Sequence, residues 1–197
     1  MKKILQILIM SLLYWNTSFA DDIRNFKIEE MSIGDSALEY FTEDQIENGE
    51  QGWYNYNYNE YSTSFLPGKK NYHLLEISYK SEDDKFVIEG ITGILEKRIY
   101  DSYYQSFFKK ECNKKLDALT LDISKLFENT KRSRKKTHQN SKDKLKKNTI
   151  TSVSFNFLDK GQIILRCYYM DKVAKQSDSF RIDVRSGAFV NYLKKTD

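Results

Sequence analysis

The side chains able to move protons, bind metal or attack a carbonyl are few in this chain of 197 residues: two histidines, two cysteines and some acid clusters. His73 lies in an alternating pattern, in phase with Leu75, Ile77 and Tyr79, which is the position of a packed or edge histidine rather than a free base. His138 falls in a strongly basic stretch that offers none of the fixed geometry a general base needs. There is no G-x-S-x-G elbow to present a serine and no H-E-x-x-H to hold a metal. Acids gather at Glu29-Glu30, Glu43-Asp44-Glu47 and Glu82-Asp83-Asp84, and a pair of them is the equipment of a glycosidase. Each cluster also has a local explanation. Glu43 and Asp44 suit the positive end of a helix, and Asp83-Asp84 suits a turn without the spacing of a calcium loop. The sequence therefore names no catalytic residue, no metal ligand and no cofactor.

Charge gives the stronger lead. Between 129 and 148 nine basic side chains meet a single aspartate, Asp143. Lys131, Arg132, Arg134, Lys135, Lys136, Lys144, Lys146 and Lys147 are candidate anion-binding residues, suited to anionic lipid, lipopolysaccharide or an acidic envelope protein. A solvated, mobile basic loop is the competing reading of the same stretch. Over the whole chain the formal charge is only +4, and no nucleic-acid partner is expected.

Around these residues the apolar pattern sets out the elements. Ser36 to Asn48 reads as one or two short helices, with capping-box signatures at Ser36-Ala37-Leu38-Glu39 and Thr42-Glu43-Asp44-Gln45 and with Leu38, Phe41 and Ile46 facing inward. Trp53 to Tyr61 alternates aromatic and polar residues, the period of an edge strand or, on the functional reading, of a stacking platform. Pro67-Gly68 marks a turn. Tyr72 to Tyr79 and Phe86 to Tyr100 form a predicted hairpin, with a bulge or bend expected at Gly90 and Gly93. Phe108, Cys112, Leu116, Leu119, Ile123 and Leu126 recur at helical spacing and predict one amphipathic helix. Three strands follow, marked by Val153, Phe155 and Phe157, then Ile163, Leu165, Cys167 and Tyr169, then Phe180, Ile182 and Val184. A short aromatic segment from Phe189 to Leu193 closes the chain. The expected fold is α+β: a mainly antiparallel sheet packed on one long amphipathic helix in two layers, plus short N-terminal helices.

Residues 1 to 20 have the form of a signal peptide. Lys2 and Lys3 precede an apolar run from Ile4 to Trp15, and Ser18-Phe19-Ala20 is small at both positions a signal peptidase reads. The run is shorter than the roughly 20 residues that span a hydrocarbon core. A single domain from 21 to 197 is then expected in the periplasm, soluble rather than lipid-anchored, with the mobile basic loop at about 129–148. In that oxidising compartment Cys112 and Cys167 have one possible pairing; two buried thiols are the alternative.

Met31-Ser32-Ile33-Gly34-Asp35-Ser36-Ala37-Leu38-Glu39-Tyr40-Phe41, Phe86-Val87-Ile88-Glu89-Gly90-Ile91 and the Cys112 helix together resemble a family of small exported proteins from AT-rich, small-genome marine bacteria. The resemblance covers most of the chain after residue 20 and implies export but no catalytic residue. A fainter similarity, to small outer-membrane assembly lipoproteins, lacks the lipidated cysteine and has Glu30 where a glycine belongs. The chain thus reads as a periplasmic binding or envelope-accessory protein without catalysis, with a periplasmic hydrolase as the alternative.

Overall fold

The computed structural model describes residues 22–51, 60–97, 102–139, 148–170 and 178–196. The signal-peptide segment, most of the aromatic run from Trp53, and Lys144, Lys146 and Lys147 lie outside the described residues.

The described residues form an α+β fold whose centre is an antiparallel sheet of eight strands with three α-helices. In chain order these are α1 (Glu43–Asn48), β1 (Tyr61–Pro67), β2 (Leu74–Lys80), β3 (Gly90–Lys97), α2 (Ser102–Leu126), β4 (Lys131–Arg132), β5 (Lys136–Gln139), β6 (Thr149–Asn156), β7 (Gln162–Tyr169), β8 (Asp178–Arg185) and α3 (Gly187–Thr196). The order across the sheet is β1-β2-β3-β8-β7-β6-β4, with β5 also paired to β6. Because β3 neighbours β8, the chain leaving β3 reaches the far edge through α2, which packs on β6, β7 and β8.

One face of the sheet is apolar because its residues alternate. Phe155 of β6, Ile163 and Leu165 of β7 and Ile182 and Val184 of β8 are buried there, against Phe108, Cys112, Leu116 and Ile123 of α2. A disulfide joins Cys112 to Cys167, with the two Cα atoms 6.0 Å apart, and so ties the helix to β7. The β1–β3 half belongs to the same core through Leu66, Leu75, Ile77 and Ile91, joined by Ile28, Met31, Ala37, Phe41 and Ile46 of the N-terminal segment. That segment is laced to the chain before β3: Gly34 N–H donates to Ile88 O at 2.8 Å, and Ile88 N–H to Asp35 O at 2.9 Å. Farther along, the Glu29 carboxylate accepts four backbone N–H bonds, from Lys69, Lys70, Asn71 and Tyr72. Burial pushes the Glu29 pKa up, but those four donors outweigh it and hold the carboxyl below its ordinary value.

Several expectations need correction. Leu126 is 66% exposed, and Phe127, four residues beyond Ile123, takes the buried place at the end of the helix seam. Leu119 is only partly buried. Leu38 is 42% exposed: residues 37–39 form a 3-10 turn rather than an α-helix, and its tighter winding turns Ala37 inward instead. The Thr42 capping box does form, with Gln45 as its reciprocal partner. His73 precedes β2 and is exposed, so it stands at the strand's start rather than packed in the core. No bulge occurs at Gly90 or Gly93, both of which pair in unbroken register with β2 and β8. Their bare backbone accommodates aromatic rings instead: a Cβ at Gly90 would lie 2.8 Å from Phe189, and one at Gly93 would lie 2.6 Å from Tyr72. Within the basic stretch read as a mobile loop, 131–132 and 136–139 are strands on β6. Backbone pairing needs no apolar side chains, so the hydrophobic pattern is silent about them.

The seam makes a paired prediction. Leu116 is 0% exposed and Leu126 is 66% exposed, so Leu116→Ala costs about 2–5 kcal/mol and Leu126→Ala less than about 0.5 kcal/mol. Urea denaturation of the two variants checks this, and equal losses would contradict the packing described.

Candidate functional site

The other face of the sheet is polar, and it follows from the same alternation. Each apolar residue of β8 is flanked by one of the opposite phase, so burying Ile182 and Val184 under α2 sends Arg181, Asp183 and Arg185 to the far side. Directly paired residues share a face, which brings Arg166 of β7 beside Arg181 and Thr92 of β3 beside Asp183. Glu76 of β2, opposite Thr92, completes the group.

These residues line a cavity of about 140 Å³ together with Thr63, Ser78 and Tyr168, and α3 contributes Phe189 and Leu193 to its wall. The helix is fixed by Tyr61, whose ring lies 5.0 Å from that of Phe189 and 4.6 Å from that of Tyr192. Its start is capped by Ser186, whose hydroxyl accepts from Phe189 N–H at 3.0 Å and donates to the Glu89 carboxylate.

Asp183 is the electrostatic centre. Its side chain is 5% exposed; Arg166 Nη1 lies 3.0 Å from Oδ2, while Arg185 Nη2 at 3.4 Å and Thr92 Oγ1 at 3.1 Å donate to Oδ1. The Arg166 contact is a pairing of charges rather than an aligned hydrogen bond. Burial raises the Asp183 pKa, but the charges of Arg166, Arg185 and Arg181 and the Thr92 bond outweigh it, so the carboxyl is held below its usual range. Arg181 is positioned from three sides. Its Nη1 reaches Glu76 Oε1 at 3.4 Å, its Nε donates to Ser179 Oγ at 3.3 Å, and its guanidinium lies 4.7 Å above the Tyr168 ring. Three guanidiniums against two carboxylates leave an excess of positive charge, and the arginine side chains keep 21%, 26% and 22% of their surface open at 166, 181 and 185.

Such an arrangement presents donors of the kind an oxyanion accepts from. A guanidinium offers five N–H donors in a planar fork, and here Asp183 fixes the forks of Arg166 and Arg185 and Glu76 that of Arg181, while using few of those donors. Neither His73 nor His138 is among the residues that line the cavity. No protein-family model matches the chain, and no curated protein or solved structure is significantly similar to it.

The basic residues expected to bind anions are divided by the strand geometry. Lys135 is held by Asp117 of α2 at 2.9 Å, and Arg132 donates to Ser124 of α2 at 3.1 Å, so both turn toward the helix side. Lys136 and Lys131 pair with Ser152 and Asn156 of β6 and share the face of the arginines. Arg134 is exposed between the two short strands. Sequence reasoning missed Arg166, Arg181, Asp183 and Arg185. The available signal was Arg181-Ile182-Asp183-Val184-Arg185, where the polar phase of a strand carries three charges in a row.

A larger hollow of about 440 Å³ lies beside α2, lined by Leu95, Phe108, Cys112 and Phe180 with Glu111, Lys114 and Lys115. It lacks a convergent set of fixed polar groups, and among the described residues no three His, Cys, Asp or Glu side chains come close enough to hold a metal. No helix among them is long and apolar enough to cross a membrane.

Proposed function

We propose that this is an exported, non-catalytic binding protein that holds a small oxyanion on the polar face of its sheet. The observation that carries the reading is the gathering of Arg166, Arg181 and Arg185 in one open cavity, two of them paired with the buried carboxylate of Asp183 and the third with Glu76. Asp183 and Glu76 hold the forks in place before the ligand arrives, so little side-chain entropy remains to be lost on binding. The lining otherwise supplies hydroxyls and one acid, Glu76, already engaged with Arg181. Those groups orient an anion and provide no base beside a nucleophile. Export to the periplasm is supported by the form of residues 1 to 20 and by a disulfide, which persists in oxidising compartments.

The test is thermal unfolding in phosphate or sulfate against chloride at constant ionic strength. A ligand at one hundred times its Kd stabilises by about 2.7 kcal/mol, so the midpoint rises with anion concentration in the natural protein. Arg181→Ala removes most of that rise. An equal rise in the variant, or none in either protein, contradicts the reading.

A further inference from the structure

The cationic side chains of the polar face continue beyond the cavity. Lys136 stands opposite Ser152, Ser152 opposite Arg166, and Arg166 opposite Arg181, so one row crosses β5, β6, β7 and β8. Four residues away along β7 and β8, a second row runs from Lys131 through Asn156 and Gln162 to Arg185. The row between them holds Ser154, Ile164 and Asp183 and then Thr92 and Glu76. Carboxylates on these three rows therefore stand at the β8, β3 and β2 end, whereas Lys136 and Lys131 are exposed at the edge with Ser152 and Asn156 as their cross-strand partners.

Resting on the reading of the cavity as an oxyanion site, we propose that this face is a track for a linear polyphosphate: one phosphoryl group seats among the three arginines and the following ones pass Arg166 to Lys136 at the sheet edge, with Lys131 farther along that edge. Neighbouring strands are about 4.8 Å apart, so Lys136 stands about 14 Å of sheet from Arg181. A single tetrahedral anion fits the cavity and reaches no farther; a chain of linked phosphates spans the distance. The arginine forks match phosphate oxygens in pairs, and the lysines meet them as point charges. A chain of charged sugars gains less here, because the Arg181 guanidinium lies on the Tyr168 ring and takes the aromatic face on which a sugar ring would stack.

Calorimetric titration of the whole protein at fixed ionic strength, with orthophosphate, tripolyphosphate and a longer polyphosphate, tests the track. In the natural protein affinity rises with chain length, by about tenfold or more from orthophosphate to the longest chain, because each further contact is intramolecular. The double variant Lys131→Ala/Lys136→Ala keeps the orthophosphate affinity and loses that gain. Lys110→Ala/Lys114→Ala, an equal loss of charge from exposed positions on α2, keeps it. Three results overturn the proposal while leaving the cavity reading intact: no gain with chain length, the same loss in both double variants, or tighter binding of polygalacturonate than of polyphosphate. Failure of orthophosphate itself to bind overturns both.

Discussion

Asp183→Ala loses about 3–5 kcal/mol of stability in urea denaturation at neutral pH, among the largest effects of any single substitution in this protein. The carboxylate is 5% exposed and faces Arg166, Arg185 and the Thr92 hydroxyl. Removing it leaves guanidiniums only about a quarter exposed beside one another with no central counter-charge. The effect has a pH signature. Because the folded protein holds the Asp183 carboxyl below its ordinary value, the carboxyl stays ionised where the unfolded chain has already taken up a proton. Its stabilisation is complete above the unfolded value of about 4 and is lost as pH falls through the lower folded value. Asp183→Asn, which keeps the shape of the side chain, flattens that part of the acid limb. Parallel stability profiles below about pH 4 for the natural protein and the Asp183→Asn variant would show that the three arginines draw nothing from the carboxylate.

Loss of the Cys112–Cys167 disulfide, by reduction or by Cys112→Ala with Cys167→Ala, costs about 2–5 kcal/mol. The bond spans 55 residues of sequence and cross-links α2 to a central strand, so the unfolded chain is deprived of the many arrangements in which those two elements drift apart. Both cysteines are buried, at 3% and 0% exposure. Denaturation curves with and without reductant check the size of the effect, and coincident curves would contradict it. The same result bears on compartment, since a protein that leans on this bond is best maintained outside a reducing cytosol.

Sequence made legible what burial repeats. Phe180, Ile182 and Val184, or Ile163, Leu165 and Cys167, announce strands because the core accepts every second residue, and Phe108 to Ile123 announces a helix for the corresponding reason. Features set by distant partners were not legible. Gly90 and Gly93 look like breaks until Phe189 and Tyr72 are found lying on them. β4 and β5 hold to β6 through backbone bonds, and their basic side chains carry no trace of the pairing. The placement of β3 against β8 joins residues far apart in the chain. The candidate site was half legible. Its edge lysines stand out as a charge run, whereas the arginines at 166, 181 and 185 lie in the polar phase of strands that only the apolar phase announces. A polar residue opposite a core residue is ordinarily solvated, and only the register that gathers three arginines about Asp183 and Glu76 gives these a common purpose.

The most direct measurement is crystallographic: diffraction from crystals soaked in selenate, an oxyanion whose selenium scatters anomalously. An anomalous peak between the guanidiniums of Arg166, Arg181 and Arg185, absent from crystals of Arg181→Ala, is the result the account predicts. Selenate bound elsewhere, with the arginine cavity holding none at saturating concentration, would contradict it.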